Sequence, residues 1–233
     1  RNWALPIHAT RPGVRLRHAG LLPWDEARAL LDPFLRDPDA TLRCQALTAL
    51  SGSIRFDRGR VGDLLSFIGA RGNEQDPVRL AMIEGLARLP PSLYGPDTLA
   101  ALTLTVRQAL NAADLSAGTV QAAERLAVRL LPFHPDWSAT TLARLMRERG
   151  TFASFRLFEG LSERDVSRLG PSLWPVVKSW ATRERDHRIV QLAGLFGRRL
   201  RAFDDLAGAI ERLAEASGDQ YAALGALSVL AQH

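Results

Sequence analysis

A turn followed by an arginine-bearing amphipathic helix recurs along this chain, and that recurrence restricts what it can fold into. Asp-Pro-Asp-Ala-Thr-Leu-Arg-Cys-Gln-Ala-Leu-Thr-Ala-Leu runs from Asp37 to Leu50, and Asp-Pro-Val-Arg-Leu-Ala-Met-Ile-Glu-Gly-Leu from Asp76 to Leu86. With Arg79 as the ruler, Val78, Arg79, Ile83, Gly85 and Leu86 are matched by Leu42, Arg43, Leu47, Ala49 and Leu50. Further copies read as Val120, Gln121, Ala123, Ala127 and Val128, and as Arg188, Leu192, Gly194 and Leu195. Phe155, Phe158, Gly160 and Leu161 form a degenerate copy, and Gln220 to Leu230 a last one through Leu224, Leu227 and Leu230. Copies at a period of roughly 35–45 residues signal stacked helical pairs, because one pair cannot bury its apolar face alone.

Each copy is preceded by a stretch that reads as the first helix of its pair. These are Trp24 to Arg36, Val61 to Ala70, Pro96 to Asn111, Asp136 to Arg149, Pro171 to Ala181 and Phe203 to Ala216. Leu64, Leu65, Phe67 and Ile68, or Leu99, Leu102, Val106 and Leu110, show the i, i+3, i+4 apolar spacing of a one-sided helix. No sustained alternation of period two signals a strand. Asp39, Asp97, Asp136, Ser162 and Asp219 are candidate N-caps, Pro96 and Pro171 candidate first-turn residues. Gly52, Gly72, Gly150 and Gly218 are candidate helix ends with left-handed backbone. Connections as short as Arg36 to Asp39 make successive helices antiparallel neighbours. The expected fold is all-α: an α-solenoid of about six antiparallel helix pairs over residues 23–233. An N-terminal arm or partial cap is expected over residues 1–22.

The repeats resemble HEAT repeats, whose unit has a Pro-kinked first helix, an Asp-rich turn and a Val-Arg opening to the second helix. Leu31-Asp32-Pro33-Phe34-Leu35 followed by Asp37-Pro38-Asp39 and Leu42-Arg43 is similar to that unit. Leu173-Trp174-Pro175-Val176-Val177 with Asp186 and Arg188 is a second copy, and Asp76-Pro77-Val78-Arg79 a third turn. The pattern departs at Gln121, where the arginine is replaced, and around Thr151 to Ser162. The resemblance implies a HEAT-like superhelix in which turn Asp and Arg pair across neighbouring units. Asp39, Arg43, Asp76, Arg79, Asp186 and Arg188 are then structural.

Composition narrows the function classes. The chain has 233 residues, 46% of them hydrophobic, which suits a large stacked core and argues against disorder. No apolar run approaches the ~18 residues that span a bilayer, so no membrane partner is expected. Arg1 to Gly20 lacks the apolar core of a signal peptide, and without an initiator Met the chain reads as a piece of a longer polypeptide. Cys44 is the sole cysteine, which excludes an internal disulfide and suits a reducing, cytoplasmic setting; on an apolar helix face it reads as a buried packing thiol. Net charge is +5, and Lys178 is the only lysine. That arginine bias reads as a GC-rich, bacterial genome.

Chemistry-bearing patterns are sparse. Gly69-Ala70-Arg71-Gly72-Asn73 lacks the Lys and Ser/Thr of a phosphate-binding loop, and no Gly-x-Ser-x-Gly elbow occurs. None of His8, His18, His134, His187 and His233 has a His or Cys at helical metal-ligand spacing. His187, beside Glu184 and Asp186, reads as part of a solvated turn, and His134 as a loop residue. Asp25-Glu26 and Asp204-Asp205 fall at helix starts, where negative charge offsets the dipole. Trp24, Trp137, Trp174 and Trp180 read as packing residues, with Trp3 in the irregular N-terminus.

No catalytic residue, metal ligand or cofactor is therefore expected, and the chain reads as more binder than enzyme. Arg88, Arg125, Arg129, Arg198, Arg199 and Arg201 fall on or just after second helices, which line the concave face in a HEAT architecture. They are the expected partner-binding residues, suited to a protein or an acidic peptide. The alternative is a nucleic-acid-binding solenoid. HEAT-like DNA glycosylases use tryptophans and an aspartate in a basic groove, and Asp136-Trp137 is the nearest local echo.

Overall fold

The computed structural model of the chain describes residues 12–180, 182–216 and 218–232. Trp3, His8, His233 and the first eleven residues of the expected arm lie outside the described residues. Among the described residues the fold is all-α, with no strand. The chain divides into two compact units, Arg1–Leu126 and Ala127–His233.

The first unit holds α1 (Pro12–Ala19), α2 (Trp24–Leu35), α3 (Ala40–Ser53), α4 (Val61–Gly69), α5 (Asp76–Arg88) and α6 (Pro96–Leu110). It also holds most of α7 (Ala117–Leu130). Alternate helices pack on one another, α3 on α5 and α4 on α6, while α2 folds back on α3. The apolar stripes read from the sequence supply the buried contacts: Leu31 and Leu35, Leu47 and Leu50, Leu64 and Ile68, Ile83 and Leu86 are all sealed from solvent. Each such side chain contributes about 1.5–3 kcal/mol on burial. Gly85 lets α5 approach α3, since a Cβ there would stand 2.6 Å from Ser51 Oγ.

The turns of this unit are joined by buried charge. Arg43 donates to the carbonyls of Asp37 and Pro38 in its own turn, and its Nε reaches Glu74 of the next turn at 3.1 Å. One repeat on, Arg79 donates to the Glu74 carbonyl and, at 2.5 Å, to the Asp114 carboxylate. Asp76 in turn accepts from the Ser116 amide at 3.1 Å and the Thr119 hydroxyl at 2.8 Å. Asp39 does not pair with an arginine; it caps α3 by accepting from Thr41 N at 2.8 Å.

The second unit holds α8 (Pro135–Arg149), α9 (Glu163–Lys178), α10 (Thr182–Phe196), α11 (Asp204–Ala216) and α12 (Gln220–Leu230). A 3-10 segment, Gly197–Ala202, follows α10. Again α9 packs on α11 and α10 on α12. An aromatic cluster fills the space between them: Phe158 stacks on Phe196 at 4.4 Å, Phe152 meets Phe158 edge-on at 5.3 Å, and Phe203 meets Phe196 at 5.7 Å and Trp174 at 6.3 Å.

Several expectations are corrected. The degenerate copy at Phe155 to Leu161 is not helical: residues 151–162 run through turns and bends. A reciprocal capping box between Ser162 and Asp165 starts the next helix only at Glu163. Pro171 is therefore inside α9 rather than at its start; Pro171 and Pro175 both face solvent, where the carbonyls they leave unpaired can be hydrated. Gly52 lies within α3, and of the four proposed end glycines Gly150 alone takes left-handed backbone, at φ +75°. Gly95 and His134, not Asp97 and Asp136, stand at the N-cap positions of α6 and α8. His187 is on α10, not in a turn.

Candidate functional site: exposed arginines and an apolar cleft

The six arginines nominated by the sequence fall into groups by where their helices end. Arg88 closes α5 and bonds Glu84 one turn earlier at 2.9 Å, the i, i+4 spacing of a helical ion pair. Arg125, on α7, reaches the same Glu84 at 3.6 Å. The structure thus brings Arg88 and Arg125 together around one carboxylate. All three side chains are solvated, so the pairs hold the guanidiniums loosely and leave donors for another partner. Arg129 follows one turn after Arg125, exposed, and makes no ion pair among the described residues.

Arg198, Arg199 and Arg201 all stand on the 3-10 segment that follows α10. Gly197 opens that segment at φ +52°, a left-handed bend that glycine makes without penalty. Leu200 and Phe203 anchor the segment in the core, so Arg198 and Arg201 project outward while Arg199 is half-buried.

Arg199 lines a cleft of about 640 Å³ that the sequence did not reveal. One wall is the non-helical stretch from Thr151 to Arg156, with Glu159. The other comes from the end of α10, around Gln191 and Leu195, and from Val229 and Gln232 at the end of α12. Phe152 and Phe158 tie that stretch to the aromatic cluster, and this leaves Phe155 pointing away, 89% exposed. Arg156 follows at φ +57°, the one non-glycine residue in the left-handed region among those described. Such a conformation costs about 1 kcal/mol or more and persists only where the surroundings impose it. The local signal was present: Gly150 and Ser162 delimit a stretch with three phenylalanines, one Thr and one Ser, all mediocre helix formers.

His187 Nε2 lies 3.0 Å from Asp219 Oδ2. Asp219 is committed to capping α12, where the amides of Ala222 and Tyr221 hold its carboxyl below the usual carboxylate range. Asp25-Glu26 and Asp204-Asp205 occupy first helical turns. Cys44 is half-buried rather than fully buried; its Sγ donates to the Pro77 carbonyl at 3.3 Å, and burial pushes the thiol up. Trp24 and Trp174 are buried, Trp137 and Trp180 half-buried, and Trp180 lies past the end of α9. No group of three metal-ligating side chains converges among the described residues, and no described helix is long and apolar enough to cross a membrane.

No protein-family model matches the chain, and neither does any curated protein or solved structure.

Proposed function

We propose that the chain is a HEAT-type helical-repeat module, built as an α-solenoid of about six antiparallel helix pairs, that binds a protein partner and catalyses nothing. The observation that carries this reading is the repeated contact between turns. Arg43 reaches the carboxylate 31 residues on and Arg79 the carboxylate 35 residues on, from equivalent helix starts. The packing of alternate helices adds to it. In such a module the buried arginines bind the repeats and the exposed ones are left for a partner. Arg88, Arg125, Arg129, Arg198, Arg199 and Arg201 are the contact residues, and an acidic protein surface or peptide is their complement. A reducing, cytoplasmic setting fits the single half-buried thiol.

The test pairs two measurements. Fluorescence anisotropy of labelled duplex and single-stranded oligonucleotides is titrated at about 50 and 200 mM salt, where a phosphate-binding surface loses about 10³-fold or more in affinity. In parallel, the protein and an Arg88→Gln, Arg125→Gln, Arg129→Gln triple variant are used to capture partners from native lysate. The proposal expects no salt-sensitive oligonucleotide binding and a captured protein that the triple variant loses. Micromolar oligonucleotide binding that collapses with salt would overturn it in favour of the nucleic-acid reading.

A further inference from the structure

The cleft of the second unit has a composition that selects among partners. Its apolar lining comes from Phe152, Phe155, Leu195 and Val229, with the amides of Gln191 and Gln232 beside them. Three charged side chains border it: Arg156, Glu159 and Arg199. Arg156 and Glu159 approach to 3.7 Å across solvent, with both groups well exposed, so their pairing is weak. Arg199 is half-buried and makes no ion pair among the described residues. A half-buried arginine with no ion pair among the described residues and a nearly bare phenylalanine ring thus line the same cleft. The volume, about 640 Å³, falls in the range of sites that enclose a small ligand or a few side chains.

These properties constrain the occupant. A purely apolar ligand would cover Arg199 and dehydrate it further with no compensating charge. A bare anion would leave the exposed Phe155 ring and the half-buried Leu195 wet. A ligand with an apolar body and an adjacent carboxylate satisfies both, because guanidinium accepts a carboxylate in a two-pronged, charge-assisted contact. Resting on the reading of the chain as an interaction module, we infer that this cleft seats a short peptide segment of the partner that sets a bulky apolar side chain beside an Asp or Glu carboxylate. The apolar side chain packs against Phe155 and Leu195, and the carboxylate meets Arg199, with Arg156 as a second cation at the rim.

The test uses isotope-labelled full chain and three probes: the blocked tetrapeptide Glu-Phe-Asp-Leu, its neutral counterpart Gln-Phe-Asn-Leu, and N-acetylphenylalanine. Amide shifts are followed during titration. The acidic peptide is expected to shift the amides of Phe155, Gln191 and Gly194 and to bind at least tenfold tighter than the neutral one. Arg199→Gln abolishes that preference, and Phe155→Ala weakens both peptides; both positions are solvent-accessible, so both variants keep the fold. Equal binding of the two peptides, a preference that survives Arg199→Gln, or shifts confined to residues away from the cleft would overturn the inference. Tighter binding of N-acetylphenylalanine than of the acidic peptide would overturn it in favour of a small carboxylate. A silent cleft combined with capture that still depends on Arg88, Arg125 and Arg129 would remove this seat alone; loss of both would remove the interaction reading as well.

Discussion

In the first unit Arg43 and Arg79 are largely buried and their contacts repeat; in the second, aromatic rings occupy the interior and Arg199 lines a cleft. Arg79 is 4% exposed and answers Asp114, as Arg43 answers Glu74 in the turn before. Phe158, Phe196 and Phe203 have no such fixed partners; they are satisfied by any close packing that fills the volume. A charge taken out of water tolerates little displacement, so turns joined by arginine keep a regular length and geometry. Aromatic packing is more permissive, and residues 151–162 can leave the helical pattern while Phe152 and Phe158 still anchor them. The departure from regularity is what creates the cleft.

The sharpest way to break this comparison is to empty the aromatic cluster. Phe158→Ala removes a fully buried ring with two aromatic neighbours and is expected to cost about 3–5 kcal/mol by denaturant unfolding. A loss below about 1 kcal/mol would show that the cluster is not what holds the second unit. In the first unit, Arg79→Met is expected to cost about 2–3 kcal/mol. That lies below the range for breaking a fully buried pair, because the Asp114 side chain is 57% exposed and can be rehydrated.

Acid should separate the contacts further. Burial alone would raise the Asp76 carboxyl, but donors from Ser116 and Thr119 and the Arg79 charge outweigh it and hold the group below its ordinary value. Asp114 is lowered chiefly by its bond from Arg79. Groups depressed in the fold add stability that is complete above the unfolded Asp pKa of about 3.9 and is lost as pH falls through the lower folded values. Stability should therefore drop below about pH 4, and Asp76→Asn should be less stable at neutral pH with a shallower acid limb. Parallel acid limbs in the variant and the parent chain would contradict that origin. The smallest expected effect is at a helix start: Ser162→Ala breaks the capping box of α9 and should cost about 1 kcal/mol, read from the denaturation midpoint.

Much of the helical framework was legible because it is written locally. The stretches Val61 to Ala70, Pro96 to Asn111 and Gln220 to Leu230 became helices within a residue or so of their expected bounds. Asp39, Ser162 and Asp219 cap as their positions suggested. The misreading of Phe155 to Leu161 has a physical cause: Phe155 and Phe158 stand at helical spacing, but Phe158 is held by the aromatic cluster while Phe155 is left to solvent. Of the candidate site, the placing of Arg88 and Arg125 on second helices, and of Arg198 just after one, was readable from the repeat pattern. The cleft was not, because Gln191, Val229 and Phe155 meet only through tertiary packing and none carries a motif.

The most direct test of the division between arginines that hold the fold and arginines that hold a partner is a paired measurement on two variants. Arg79→Met and Arg199→Gln are each assayed for denaturant stability and, under conditions where both are folded, for affinity toward the acidic tetrapeptide. Arg79→Met is predicted to lose about 2–3 kcal/mol of stability with peptide affinity unchanged, and Arg199→Gln to lose the peptide preference with stability within about 0.5 kcal/mol of the parent. Arg199→Gln destabilising the chain as much as Arg79→Met, or leaving the peptide preference intact, would contradict the account.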